Sequence, residues 1–146
     1  MLMPCTNNSS YKTDCYGRII GYGLHDSYLI GFYFDEDRVS IKIRNSQNTL
    51  IRIELFGVKE IGLVELCKNA IVSDIYFWEA AHAPKAWGVP DSAWNTVFYG
   101  RMSLDDIKRE VENLAKTMPQ LYLFHTECSY GGAIAVVCKD MKIFIE

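Results

Sequence analysis

Short segments in which apolar and polar residues alternate run through residues 21–78 and are separated by polar turns. Residues 39–44 and 51–55 show this most clearly, because every second side chain in each is Ile, Val or Leu. A period of two is typical of a strand with one buried and one wet face. The polar turn at residues 45–48 joins the two segments as a hairpin, so we expect an antiparallel meander.

One strong helix is predicted over residues 103–118. Ser103 is its candidate N-cap, two acids follow in the first turn, and Pro119 stops it. The apolar side chains recur at helical spacing, and we expect that face to pack on the sheet. They are Leu104, Ile107, Val111, Leu114, Ala115 and Met118.

The fold class expected is α+β: a mostly antiparallel curled sheet, or a two-sheet β structure, of about seven to eight strands with one main helix. Residues 134–137 are apolar without alternation, which predicts that the strand over residues 133–139 is covered on both faces. Residues 15–22 and 96–99 are expected to be short strands. Residues 1–14 are interpreted as a flexible arm, residues 15–146 as a single domain, and residues 79–95 within it as an irregular insertion rich in Trp and Pro.

Composition limits the classes of function. The chain has 146 residues, of which 49% are hydrophobic, so it has enough apolar surface for one core. A net charge of -3 argues against a phosphate-binding surface, so no nucleic acid partner is expected. No basic leader precedes an apolar run, and no apolar run reaches about 18 residues, so no membrane partner is expected. Five cysteines without paired spacing indicate reduced thiols and a cytoplasmic location.

The sequence offers weak candidates for chemistry. His125 and Cys128 are three positions apart on a predicted strand, so their side chains should point to opposite faces. The consecutive residues 25–27, His-Asp-Ser, do not suit relay geometry and are interpreted as a turn. The three histidines are far apart in sequence and lack the spacing of metal ligands. We therefore expect no catalytic residues, no cofactor and no metal.

The segment from Trp78 to Trp94 holds all three tryptophans. Aromatic side chains on a loop held by a rigid sheet are typical of a protein-binding hot spot. Trp78, His82, Trp87 and Trp94 are therefore the candidate partner-binding residues, with Trp87 or Trp94 expected to be partly exposed. The alternative is that these indoles seal an open end of the sheet.

Residues 24–76 carry a characteristic series of turn and strand signals. His25-Asp26-Ser27 enters a strand, an acidic turn and two alternating strands follow, and Phe56-Gly57-Val58 precedes Glu65-Leu66 and a last strand at residues 71–76. This order resembles small uncharacterised bacterial proteins of the immunity-protein kind, some of which are thought to neutralise polymorphic toxins. The resemblance covers about a third of the chain, and it implies a cytoplasmic, non-enzymatic binder without a cofactor.

The function expected is therefore a non-enzymatic protein-interaction module, in its most concrete version a toxin-neutralising immunity protein. An acidic chain of this kind could cover a basic nuclease face by charge complementarity. The alternative is a small-ligand-binding protein or minor enzyme with a pocket inside the curled sheet, for which His25 and His125 are candidates. A third possibility is that the partner is a second copy of the chain.

Overall fold

The computed structural model describes residues 11–67, 70–84, 88–117, 120–129 and 132–146. Within these ranges the fold consists of an antiparallel sheet of eight strands, a ribbon of two strands and two helices, which confirms the α+β class. The ribbon is β1 (Lys12–Thr13) and β2 (Ile19–Ile20). The sheet is β3 (Ser27–Phe34), β4 (Arg38–Arg44), β5 (Leu50–Phe56), β6 (Glu60–Val64), β7 (Ile71–Glu79), β8 (Tyr122–Cys128), β9 (Ala133–Cys138) and β10 (Asp140–Ile145), and the helices are α1 (Val89–Val97) and α2 (Leu104–Thr117).

The strand order, β10-β5-β4-β3-β7-β8-β9-β6, shows how the sheet curls. Only Lys139 separates β9 from β10, and only residues 57–59 separate β5 from β6, yet the two members of each pair lie far apart in this order. At these crossings Lys139 N donates to Phe56 O at 2.9 Å and Lys59 N donates to Val137 O at 2.7 Å. The two ends of the sheet therefore approach each other, while β6 and β10 remain edge strands.

The main core lies on the side of the sheet where the alternating apolar residues meet. Ile41, Ile53 and Ile143 stand in register across β4, β5 and β10, and each is at most 1% exposed. The same cluster takes side chains from β3, β7, β8 and β9, so the sheet wraps around it. This core fills the inside of the curled sheet with packed apolar side chains.

Helix α1 covers the other face of the sheet, over β6, β8 and β9. The sequence predicted irregular chain up to residue 95 and a strand over residues 96–99, and the helix shows both predictions to be wrong for residues 89–97. Pro90 in the first turn suits a helix start, and Ala93, Trp94 and Val97 form its buried stripe. Because α1 covers β9 from outside and the main core covers it from inside, every residue of β9 is buried, as predicted.

Helix α2 confirms the predicted helix, with its last predicted residue, Met118, outside the described ranges. Ser103 Oγ accepts a hydrogen bond from Asp106 N at 3.3 Å, as expected of an N-cap. The prediction that this helix covers the sheet is confirmed in part, since Ile107, Val111 and Leu114 belong to the same apolar cluster as Leu123 of β8 and Val137 of β9. The most extensive contacts of α2 are with α1, and only Ile107 is fully buried. Within the described ranges, neither helix is long and apolar enough to cross a membrane.

The two-stranded ribbon differs from what the sequence predicted for residues 11–22. The strand predicted over residues 15–22 is reduced to β2, which pairs with β1. Residues 11–14, expected to belong to a loose arm, are held by this pairing and by the ring of Tyr11, which meets the ring of Phe77 edge-on at 5.5 Å. Residues 1–10 of the predicted arm lie outside the described ranges.

Candidate functional site

The two tryptophans of the predicted hot spot that lie within the described ranges are buried. Trp78 and Trp94 are each 6% exposed, and the indole of Trp94 stacks on the ring of Phe98 at 6.3 Å. The prediction was that Trp87 or Trp94 is partly exposed, and Trp94 is buried because residues 89–97 are helical and turn Trp94 toward the sheet. Trp87 lies outside the described residues.

His82 is the one described member of that candidate set with an exposed side chain. Its Nδ1 lies 3.0 Å from Glu79 Oε2, an arrangement of two exposed groups at the end of β7. For Trp78 and Trp94, the structure favours the sealing role that was the alternative interpretation of this segment.

A cleft of about 460 Å³ lies beside α1, outside the main core, and Ser92, Asn95, Tyr99, Glu127 and Cys128 are among its lining residues. Ser92 Oγ donates to Glu127 Oε1 at 2.7 Å, and His125 Nε2 lies 3.4 Å from the same oxygen. Glu127 and His125 share a face because they are two positions apart on β8. This constellation was missed from the sequence because Ser92 reaches it only through the unpredicted helix α1.

The order of these groups determines their chemistry. In a serine hydrolase the histidine lies between the serine and the acid, whereas here Glu127 lies between Ser92 and His125. The hydrogen bond from Ser92 lowers the pKa of Glu127, which makes this carboxylate a weak proton acceptor. Burial lowers the pKa of His125, which is 0% exposed and donates from Nδ1 to Ile134 O at 3.1 Å. These three side chains are therefore suited to stabilising the local structure or to binding a hydrogen-bond donor, and they are not arranged to activate the serine.

The predicted turn at residues 25–27 is confirmed. Asp26 has a φ of 57°, and Ser27 Oγ is buried and donates to Leu24 O. His25 is exposed and its Nδ1 lies 3.1 Å from Asp74 Oδ1, a contact that raises the pKa of His25. Among the described residues, no group of three His, Cys, Asp or Glu side chains is placed to hold a metal ion.

A polar surface covers the side of β3, β4, β5 and β10 that faces away from the main core. Register places the polar positions of these strands together there, and both helices pack elsewhere. We call this surface the cation-aromatic face. Its cations are Arg38, Lys42, Arg44, Arg52 and Lys142, its aromatic residues are Tyr28, Tyr33, Phe56 and Phe144, and its carboxylates are Glu54, Asp140 and the adjoining Glu146.

The cation-aromatic face is both exposed and ordered. Tyr33 is 61% exposed, a high value for a large aromatic side chain in a strand. The guanidinium of Arg52 lies 4.6 Å from the centre of the Phe144 ring, and the guanidinium of Arg38 and the ammonium of Lys142 lie over the Phe56 ring. The alternation in residues 38–44 indicated the polar face of β4, but no sequence signal placed β10 beside β5 to complete it.

Comparisons with known proteins give no family for this chain. No family model matches it, and no significant match was found among curated proteins or solved structures.

Proposed function

We propose that this chain is a non-enzymatic protein-interaction module that binds its partner through the cation-aromatic face. The observation that carries the proposal is a sheet surface with five cations and exposed aromatic rings on which neither helix packs. Arg and Tyr are enriched at the centres of protein interfaces, and exposed patches of this kind mark interaction sites.

Neutralisation of a bacterial toxin in the cytoplasm is the concrete version of this function. It is supported by the resemblance of residues 24–76 to immunity-like proteins, a stretch that includes β3, β4 and β5. The gene would then lie beside that of a large secreted toxin. Co-expression with the toxin domain should restore growth, and growth arrest despite co-expression of the folded protein would contradict this version.

Capture of a partner followed by reconstitution tests the interaction itself. A protein captured from the native cell and identified by mass spectrometry is purified, and its affinity for wild type, Tyr33→Ala and Tyr99→Ala is measured by calorimetry. Tyr99 is a matched control because it is 65% exposed, against 61% for Tyr33, and lies just beyond α1.

Tyr33→Ala should weaken binding by about 30-fold, as for a hot-spot aromatic residue, while Tyr99→Ala should change it by less than about 2-fold. The reverse pattern would place the interface at the helices and refute the assignment to the cation-aromatic face. If the captured partner is a second copy of this chain, size-exclusion chromatography of wild type shows a dimer that Tyr33→Ala dissociates.

A second candidate function is a small-ligand pocket or minor enzyme at the cleft beside α1. The observation that favours it is the linked set Ser92, Glu127 and His125 at a cleft of about 460 Å³, within the size range of ligand pockets. Crystals soaked in a library of small amines and alcohols would show ordered density against Glu127. The candidate would be excluded if the soaked crystals show no such density and if the same compounds cause no NMR chemical-shift changes that depend on Glu127.

A further inference from the structure

Glu54 is a buried acid in the middle of the exposed cation-aromatic face. It lies on β5 between Ser40 of β4 and Lys142 of β10, and its side chain is only 5% exposed. Its Oε1 accepts hydrogen bonds from Ser40 Oγ at 3.0 Å and Arg52 Nη1 at 3.2 Å. Arg38 Nε lies 3.6 Å from Oε2, which accepts no hydrogen bond within the described part of the chain.

Glu54 and the aromatic rings together fix the positions of the surrounding cations. Arg52 is held by Glu54 on one side and lies over the ring of Phe144. Arg38 and Lys142 lie over the same ring, that of Phe56, at 5.9 and 5.5 Å from its centre. A guanidinium has five N–H donors, so the contacts of Arg52 to Glu54 through Nη1, at 3.2 Å, and to Glu146 through Nε, at 3.0 Å, leave other N–H groups to bind a ligand. Cations fixed in advance lose less conformational freedom when they bind an anion.

The charge of this surface is opposite to that of the chain. Five cations and three carboxylates, including Glu146 at its edge, give the face a positive balance in a chain whose net charge is -3. Complementary potentials favour association and select against partners of the same sign. The matching surface is therefore rich in carboxylates, the reverse of what the net charge indicated.

We propose, resting on the function proposed above, that the partner of the cation-aromatic face is an acidic protein surface, and that Glu54 acts as a positioning residue that presents Arg38 and Arg52 to the partner's carboxylates. A planar guanidinium binds a carboxylate through two parallel hydrogen bonds. Exposed Tyr33 supplies apolar contact beside this charged centre.

An acidic protein fits this face better than single-stranded nucleic acid does. Proteins that bind single strands stack bases on open aromatic faces. Here Phe56 and Phe144 are already covered by Arg38, Lys142 and Arg52, which leaves only the rings of Tyr28 and Tyr33 open.

The test uses fluorescently labelled oligoglutamate and oligothymidylate of equal length, with binding to the full chain measured by anisotropy at physiological salt. The face variant is Arg52→Gln/Lys142→Gln. The control, Lys108→Gln/Arg109→Gln, removes the same charge from exposed positions of α2. Oligoglutamate should bind wild type, and the face variant should weaken binding by about 10-fold against less than about 2-fold for the control.

Three results would overturn the proposal: no oligoglutamate binding, equal loss in both variants, or tighter binding of oligothymidylate than of oligoglutamate with the same sensitivity to the face variant. The last result would identify nucleic acid as the partner class.

Glu54→Gln tests the positioning role separately. This variant makes the face more positive, so net charge alone predicts tighter binding of oligoglutamate. If Glu54 positions the two guanidinium groups, binding instead weakens by about 3-fold or more, because Gln keeps the bond to Ser40 but loses both ion pairs. Tighter binding by the folded variant would refute the positioning role.

The reconstituted partner separates this inference from the function on which it rests. If its binding is lost in Tyr33→Ala but unchanged in Arg52→Gln/Lys142→Gln, the interaction surface stands and the acidic partner is refuted. If neither variant affects its binding, the proposed interaction surface itself is refuted.

Discussion

Replacing Gly62 with alanine should separate α1 from the sheet. A Cβ built on Gly62 lies 1.9 Å from Thr96 O and 2.6 Å from Val97 Cα, both in the backbone of α1. Ordinary contact begins at 3.4 Å, so the helix must move by about 1.5 Å. No side-chain rotation relieves this clash, because the atoms it meets belong to the helix backbone.

The expected cost follows from the side chains that α1 buries. Trp94, Val97 and Phe98 are each at most 6% exposed, and burial of such a side chain contributes about 1.5–3 kcal/mol. A gap of about 1 Å already removes up to about half of the dispersion attraction. Losing about half of these contributions costs about 3 kcal/mol, a large part of a typical free energy of unfolding of about 5–15 kcal/mol.

Urea denaturation followed by tryptophan fluorescence measures this cost, since Trp78 and Trp94 lie in the cluster that α1 closes. Gly31→Ala is the matched control: Gly31 is also a strand glycine, but its added Cβ meets the flexible side chain of Lys42 at 3.4 Å. The control should change the free energy of unfolding by less than about 1 kcal/mol. A cost of Gly62→Ala within about 1 kcal/mol of the control would refute the direct packing of α1 on β6.

Burial lowers the folded-state pKa of His125, so the unfolded chain binds the proton first as the pH falls below about 6.5. In denaturation series between pH 7 and pH 5, the free energy of unfolding of wild type should therefore fall more steeply with decreasing pH than that of His125→Gln. Equal slopes would contradict this prediction. Thiol labelling resolved by mass spectrometry should modify Cys15 and Cys67 in the native protein. Cys138, whose pKa burial raises to about 12, should react only after unfolding, and labelling before unfolding would show that β9 opens readily. Amide hydrogen exchange should be faster in α2 than in β9, because α2 buries one residue fully and β9 buries all of its residues; equal protection would refute the peripheral position of α2.

The sequence was sufficient to predict those elements whose contacts join residues close together in the chain. The hairpin of β4 and β5 joins neighbouring segments whose apolar side chains alternate, so its register follows from the pattern and the turn. Helix α2 carries its own cap and apolar stripe, and it was predicted to within two residues at either end. The packing of α2 on α1 was not predicted, because an apolar stripe on a helix does not specify which element covers it.

Helix α1 was missed because Pro84, Gly88 and Pro90 lie around its start, and Gly and Pro interrupt helices more often than they build them. Its stability comes from contact with β6, where Gly62 leaves room for the helix backbone. The cation-aromatic face was missed for a related reason. Net charge averages over the whole chain, while the hairpin of β4 and β5 places four cations on one side and the pairing of β10 with β5 adds Lys142 to them.

The two crossings, from β5 to β6 and from β9 to β10, interleave distant parts of the chain in one sheet. β10 completes the pairing of β5, and β9 completes that of β6 and β8, so a nascent chain that has emerged only as far as β8 has three strands without their final neighbours. Such a chain exposes apolar strand edges until residues 133–145 leave the ribosome. Before that point it is prone to aggregation and is a substrate for chaperones. Pairings this remote in sequence also delay nucleation, so refolding takes milliseconds to seconds rather than microseconds.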